Sequence, residues 1–178
     1  ASRNGELIFW DAVSGRIRKN TKAHLGSICN ISLSPDGTKL TTASWDRTAK
    51  VWNTNTGNLE NQLSAHFDWV YSANWCPKSL EIITASKDGS IAIWDTKTKK
   101  LKLRQFIFEG NENLVMSENN LFDASEGAME RMYWVQGLNY IDFNQIKERY
   151  WEPNLWSKIY GGETTRTVES IEKGLPLY

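Results

Sequence analysis

Residues 43–53 read ASWDRTAKVWN and residues 85–95 read ASKDGSIAIWD, so one pattern returns after 42 residues. A third copy, ASRNGELIFWD, occupies residues 1–11, and the closing tryptophans of the three copies fall in register. These tryptophans are Trp10, Trp52 and Trp94. A tandem repeat of about 40 residues that ends in a tryptophan followed by Asp or Asn is typical of the blades of a β-propeller. The repeat therefore predicts an all-β chain of successive small sheets.

Turn-forming residues divide each repeat into short strands. Residues 34–37, SPDG, separate two strand-length runs in the first full repeat, and residues 77–79, PKS, do so in the second. Turns every eight to twelve residues or so are typical of all-β folds. The pattern predicts two full repeats at about residues 16–53 and 58–95 and a partial repeat at residues 1–11.

The third unit departs from the period. Position 136, where the next repeat would place a tryptophan, holds Gln136, and Trp134 lies two residues earlier. We interpret residues 99–143 as a degenerate closing blade. Its last strand is expected in YWVQG (residues 133–137) or in LNYIDF (residues 138–143).

Helix signals begin after this unit. Asp142, followed three residues later by Gln145, has the spacing of a capping box. Pro153 can open a second short helix, which Gly161 and Gly162 would end. The chain is thus predicted to comprise blades over residues 1–143 and a short C-terminal helical cap with a tail over residues 144–178.

The charge balance and the cysteines argue against several functional classes. The chain has 21 basic and 21 acidic residues, which favours neither nucleic acid nor an anionic membrane as a partner. No stretch approaches the roughly 18 apolar residues of a transmembrane helix. Cys29 and Cys76 occupy non-equivalent repeat positions, which is the pattern of neither a disulfide framework nor a metal site. We therefore expect a cytoplasmic protein without a metal or a cofactor.

Each full repeat holds a His, a Thr, an Asp and a Trp at matching positions. The two sets are His24, Thr42, Asp46 and Trp52, and His66, Thr84, Asp88 and Trp94. With the SPDG turn, the Ala-Ser-x-Asp loop and the closing Trp-Asp or Trp-Asn, these residues resemble the WD-repeat family of β-propellers over residues 1–96. An Ala-His pair stands where the family has Gly-His. The resemblance implies a buried chain of hydrogen bonds in each blade, in which the Asp accepts from the His, the His bonds the Thr hydroxyl, and that hydroxyl meets the indole N–H.

A His–Asp–Thr grouping could also serve nucleophilic catalysis. A grouping that recurs in successive repeats is more typical of a structural role, and both histidines of the chain belong to the two tetrads. We therefore predict no catalytic residue and a non-enzymatic protein. In the partial repeat Asn4 replaces the Asp, so a weaker network is expected there.

The WD-repeat resemblance implies a rigid platform that binds peptides and proteins at the tops of its blades. Residues beside the loop Asp and after the His would form the candidate binding face. They are Arg3, Leu25, Trp45, Phe67, Trp69 and Lys87. Aromatic residues in such positions often anchor interfaces. The alternative is that Trp45 and Trp69 pack between neighbouring blades.

A basic run near residue 100 invites a nucleic-acid hypothesis. It contains Lys97, Lys99, Lys100, Lys102 and Arg104. The alternation of three of these residues with leucines puts the charges on one face of a strand, and charged edge strands also suppress aggregation. We favour a solvated strand edge and consider nucleic acid an unlikely partner.

The segment LFDASEGAMERMYWVQGLNYIDFNQIKERYWEPNLWSKIYGG (residues 121–162) carries a second resemblance. It is similar to a segment that joins WD repeats to a following domain in bacterial multidomain proteins, some of which carry a caspase-like protease. No caspase-type Gln-Ala-Cys-x-Gly motif is present in the sequence. The alternative function is therefore a regulatory fragment of a bacterial caspase-like effector.

About three blades and one orphan strand at residues 6–11 fall short of the four blades of the smallest propellers. Leu7 and Phe9, with Ile28, Ile31 and Leu33, would leave an apolar surface in water. We expect upstream blades of the same protein, another chain or self-association to cover it, and a protein partner for the completed ring.

Overall fold

The computed structural model describes residues 1–136 and 139–168 of the 178-residue chain. It divides into two compact units, Ala1–Leu101 and Lys102–Tyr178. Two parts of the sequence-based predictions, residues 137–138 of the closing strand and the tail after residue 168, lie outside the described residues. The sequence predicts a domain boundary at residue 143 from the end of the repeat pattern, whereas the compact units divide after Leu101. The boundary at residue 143 stays a prediction.

The first unit consists of short antiparallel strands joined by turns. A two-stranded sheet pairs β1 (Glu6–Trp10) with β2 (Ile17–Lys22). A four-stranded sheet follows, with β3 (Ile28–Leu33), β4 (Lys39–Ser44), β5 (Ala49–Asn53) and β6 (Leu59–Leu63) in chain order. The next sheet begins with β7 (Val70–Trp75), β8 (Glu81–Ser86) and β9 (Ser90–Asp95). These strands lie where the turn signals of the sequence place them.

The sheets are out of phase with the sequence repeat by one strand. β2 lies in the first full repeat but pairs with β1 of the partial repeat, with Leu7 opposite Thr21. β6 likewise pairs with β5, with Ala49 opposite Leu63. The prediction of an orphan strand at residues 6–11 is therefore wrong, because the outer strand of the following repeat pairs with it in a two-stranded sheet.

The repeat extends to the irregularities of the sheets. The β3–β4 register shifts between Ile28 and Asn30, and the β7–β8 register shifts between Val70 and Ser72. β-Bulges of this kind bend a strand and increase its twist. Since the shifts fall at the same repeat position, successive sheets have the same local shape.

Apolar side chains of neighbouring sheets pack together in the first unit. Leu7 is 3% exposed and packs with Ile28, Leu40 and Trp52. Ile31 and Leu33 remain 51% and 58% exposed. The expected apolar surface thus includes Ile31 and Leu33 but not Leu7, because the β1–β2 sheet buries Leu7 against the next sheet.

The second unit has three antiparallel strands in chain order, followed by a hairpin and helices. The strands are β10 (Lys100–Ile107), β11 (Asn113–Ser117) and β12 (Phe122–Ala124), and the hairpin pairs β13 (Tyr133–Gln136) with β14 (Asn139–Asp142). The helices are α1 (Glu126–Arg131), α2 (Phe143–Tyr150) and α3 (Leu155–Gly161). The prediction that residues 133–143 supply the last strand of the closing blade is wrong, since Tyr133–Gln136 and Asn139–Asp142 pair in a two-stranded sheet of their own after α1.

The helical cap is confirmed, and its first helix begins as the sequence predicts. Asp142 caps α2 with both bonds of the capping box, and the side chain of Gln145 returns to the Asp142 amide. Phe143 meets Phe122 edge to face at 4.8 Å, and Tyr150 is fully buried. The cap therefore closes the core of the second unit.

None of the described helices is long and apolar enough to cross a membrane.

Candidate functional site

The structure brings the four matching residues of the first full repeat into one hydrogen-bonded chain. Trp52 Nε1 donates to Thr42 Oγ1 at 2.9 Å, and that hydroxyl lies 2.7 Å from His24 Nε2. His24 Nδ1 lies 2.9 Å from Asp46 Oδ2. Three of the four side chains are buried, and Asp46 is partly open to solvent.

The chemistry of the groups gives this chain a consistent direction. An indole N–H can only donate, so the Thr42 oxygen accepts it, and the hydroxyl has a proton that it can donate to His24 Nε2. His24 Nδ1 must then carry the ring proton, which it donates to the acceptor-only carboxylate of Asp46. A neutral His24 therefore satisfies every hydrogen bond of the arrangement.

The second full repeat has the same arrangement. Trp94 Nε1 donates to Thr84 Oγ1 at 2.9 Å, and His66 Nε2 lies 2.8 Å from that hydroxyl. His66 Nδ1 lies 3.3 Å from Asp88 Oδ2. Two tetrads with one geometry, in successive sheets, indicate a repeated structural element rather than a single reactive centre.

Each aspartate also holds the loop in front of its sheet. Asp46 accepts from the Leu25 amide at 3.1 Å and from the Thr48 hydroxyl at 2.7 Å. Asp88 accepts from the Phe67 amide at 2.8 Å, and Ser90 supplies the matching hydroxyl at 2.6 Å. Sequence reasoning missed these two hydroxyls, although a Thr or Ser two residues after each loop Asp was the available signal.

The burial of the tetrads limits their chemistry. His24 is 1% exposed and Thr42 is fully buried, and in the second tetrad Thr84 is also fully buried. These hydroxyls have no path to an outside substrate.

The partial repeat has no tetrad. Its Asn4 contacts Ser2 and donates to Glu6, and Trp10 is 57% exposed.

Burial and charge set the ionisation of the first tetrad. Burial lowers the pKa of His24 below its ordinary value of 6.5, although the neighbouring Asp46 opposes this shift. Burial raises the pKa of Asp46, but the Thr48 hydroxyl and the His24 ring more than offset this and leave it below 3.8. A neutral imidazole beside an ionised carboxylate is therefore the resting state.

We expect stability to fall as the pH drops below about 6.5. The pKa of His24 is lowered in the folded chain, so the unfolded chain binds more protons below that pH and acid favours unfolding. The uptake of one proton on unfolding lowers the free energy of unfolding by at most about 1.4 kcal/mol per pH unit. Melting temperatures measured between pH 7.5 and 5 should decline, and the His24→Gln variant should show a flatter profile. A melting temperature that rises over this range would contradict the assignment.

The loops beside the tetrads form what we call the blade-top surface: Arg3, Leu25, Trp45, Phe67, Trp69 and Lys87. Trp45 and Trp69 stack at 4.4 Å between ring centroids with a 9° interplanar angle. Trp45 is nevertheless 43% exposed, and Phe67 is 73% exposed. Lys87 Nζ lies 4.3 Å from the Trp69 ring and 3.6 Å from Asp68. The indoles thus pack across neighbouring sheets and still present surface to solvent, and the binding role of this surface stays a prediction.

The basic run does not form one solvated edge. Arg104 is only 8% exposed, and its guanidinium lies 4.5 Å from the Phe106 ring. Lys102 Nζ lies 3.9 Å from the Tyr160 ring. The solvated-edge prediction is wrong for Arg104, because a guanidinium can stack on an aromatic face and be buried there.

Comparison with known proteins identifies the repeats. Residues 15–53 and 57–95 each match the family model described as WD domain, G-beta repeat. The apoptotic protease-activating factor 1 of Rattus norvegicus is 34% identical over 50 residues, which are 28% of this chain and 4% of that protein. The eukaryotic translation initiation factor 3 subunit I of Bombyx mori is 45% identical over 47 residues, 26% of this chain and 14% of that protein. This chain thus spans a small part of either relative.

Solved structures share the fold. The chains described as "Structure of U3-55K" and "Crystal structure of RRP9 WD40 repeats" both match with a TM-score of 0.57 and 15% sequence identity. The matches cover 66% and 67% of this chain and 41% of each matched chain. With the two matched repeats, they confirm the predicted all-β fold, a partial WD-repeat β-propeller with a short C-terminal helical cap.

Proposed function

We propose that this chain is a non-enzymatic scaffold, part of a longer chain or assembly, that binds a protein partner at the blade-top surface. The observation that supports the proposal most is the stacked and partly exposed Trp45–Trp69 pair. Large aromatic residues that are already ordered bind at a low entropic cost, and tryptophan is enriched among residues that dominate binding energy.

The tetrads support the proposal by making this surface rigid. The carboxylate of Asp46 fixes the backbone at Leu25, and that of Asp88 fixes the backbone at Phe67. Leu25 is 92% exposed and Phe67 is 73% exposed, so both apolar side chains are presented on anchored loops. A preformed apolar surface of this kind suits a peptide that inserts an apolar or aromatic side chain.

The proposal is tested with a phage-displayed library of random dodecapeptides selected on the immobilised chain. Selected peptides should bind the Phe67→Ala variant at least about tenfold more weakly, because a central aromatic anchor often contributes more than about 1.4 kcal/mol. The matched control is Tyr140→Ala, since Tyr140 is 76% exposed and lies in the second unit. Equal binding to the Phe67→Ala variant, or equal losses with the control, would contradict the proposal.

The regulatory fragment of a caspase-like effector stays a prediction. The described residues contain no arrangement that favours this alternative over a scaffold: His24 and His66 are both engaged in tetrads.

A further inference from the structure

A second surface lies at the other end of the strands, and we call it the base cleft. It has a volume of about 460 Å³, within the range of about 300–1,000 Å³ typical of ligand pockets. Its lining comes from the β3–β4 turn, the β7–β8 turn and the segment after β9. The six residues of β4 separate the β3–β4 turn from the blade-top loop at Trp45, a distance of about 20 Å along an extended strand. The base cleft is therefore a site of its own.

Four apolar residues contribute to the lining of the base cleft. They are Trp75, Leu80, Pro35 and Pro77, and the two prolines occupy equivalent positions in the two repeats. Leu80 is 57% exposed. The indole nitrogen of Trp75 is closed to solvent, so the part of Trp75 that reaches the cleft is its carbon surface.

The rim of the base cleft is basic. Lys78 and Lys97 are exposed, and in the described part of the chain neither ammonium group has a carboxylate within ion-pair distance. Lys39 is paired with Glu60 at 3.0 Å. Asp36, the acidic residue of the lining, accepts from the Thr38 hydroxyl at 2.8 Å and from the Thr38 amide at 3.1 Å. Two lysines without an ion-pair partner among the described residues thus line the cleft beside the charge of Asp36 and the apolar residues.

Hydrogen bonds hold the lining segments before any ligand binds: the segment after β9 is bonded to the β7–β8 turn, and the β3–β4 turn is held by its own side chains. The Thr96 amide and hydroxyl both donate to the Leu80 carbonyl, at 3.0 and 2.8 Å. The Asp36 carboxylate holds its own turn through Ser34 and Thr38. A cleft between two anchored turns requires little ordering on binding, which favours affinity.

We propose that the base cleft binds an extended segment of a protein partner in which acidic side chains alternate with apolar ones. Successive side chains of an extended peptide point to opposite sides. The apolar side chains would cover Trp75 and Leu80, while the carboxylates reach Lys78 and Lys97. A nucleic acid fits less well, because its affinity grows with the number of phosphates neutralised and the rim offers two unpaired cations beside the charge of Asp36.

The test uses a fluorescein-labelled octapeptide of alternating glutamate and leucine and the whole chain, with fluorescence anisotropy as the readout. The Lys78→Glu/Lys97→Glu variant should bind roughly tenfold more weakly, since two exposed charge pairs become repulsive. The control variant Arg16→Glu/Arg131→Glu makes the same change in net charge at exposed positions outside the cleft and should bind as the parent chain does. Hydrogen–deuterium exchange should slow at residues 34–38 and 76–80 when the peptide is added.

Three outcomes would overturn the proposal. One is that the peptide does not bind, and another is that a glutamine–leucine octapeptide binds equally well. The third is that a uridine decanucleotide binds more tightly than the peptide and is lost in the Lys78→Glu/Lys97→Glu variant, which would assign the cleft to nucleic acid. The Phe67→Ala variant should bind the octapeptide normally, so failure here leaves the blade-top proposal unaffected.

Discussion

Replacing Trp52 by alanine is expected to lower the free energy of unfolding by about 3–5 kcal/mol, the cost typical of removing a buried aromatic side chain. Trp52 is 4% exposed and packs against Leu7, Ile28 and Leu40, which belong to two neighbouring sheets. The substitution also removes the indole donor to Thr42. Urea denaturation followed by circular dichroism measures the loss, which is a large part of the stability of a small domain.

The chain provides its own control in Trp10, which occupies the same repeat position. Trp10 is 57% exposed, so Trp10→Ala should cost less than about 1 kcal/mol. Losses of similar size in the two variants would show that burial between sheets does not determine the role of this position.

Replacing Asp46 by alanine is expected to cost about 1–3 kcal/mol. The carboxylate accepts from His24, from the Leu25 amide and from Thr48, and the first of these donors is buried. Without the carboxylate, the buried His24 ring N–H loses its acceptor at 2.9 Å and keeps only the Thr48 hydroxyl oxygen, which lies 3.3 Å from Nδ1. Thermal denaturation of the purified variant measures the effect.

Asp46→Asn is the matched variant for this prediction. The asparagine keeps one carbonyl acceptor at the same place, so it should lose less stability than the alanine variant. An Asp46→Ala variant as stable as the parent chain would contradict the structural role of this tetrad.

Local signals in the sequence predict most of the first unit. The strand from Lys39 to Ser44 follows directly from the SPDG turn before it, and the capping box at Asp142 predicts the start of α2. Helix α1 escaped prediction, because its six residues hold only two buried side chains and show no helical period. The pairing of β2 with β1 escaped it as well, because a repeat in sequence does not reveal which strands share a sheet.

The two candidate surfaces differ in how far the sequence reveals them. The position of Phe67 beside His66 predicts a place at the blade top, because the repeat fixes the loop in which it lies. The base cleft was not predicted, since it depends on the distance between two turns rather than on either turn alone. Its one sequence signal is the recurrence of proline at positions 35 and 77.

Each sheet takes its outer strand from the following sequence repeat, so the outer strands β2 and β6 are structurally equivalent. β1 with β2 and β5 with β6 have equivalent registers, including a shift before Trp10 in one pair and before Trp52 in the other. Excising the 42 residues from 16 to 57 would join the turn after β1 directly to β6, which could take the place of β2 along the same edge. Gain or loss of one period by recombination would thus change the number of sheets, with each splice point in the connection that follows β1 or β5. A protein with this arrangement can gain or lose one repeat without leaving a strand that has no partner.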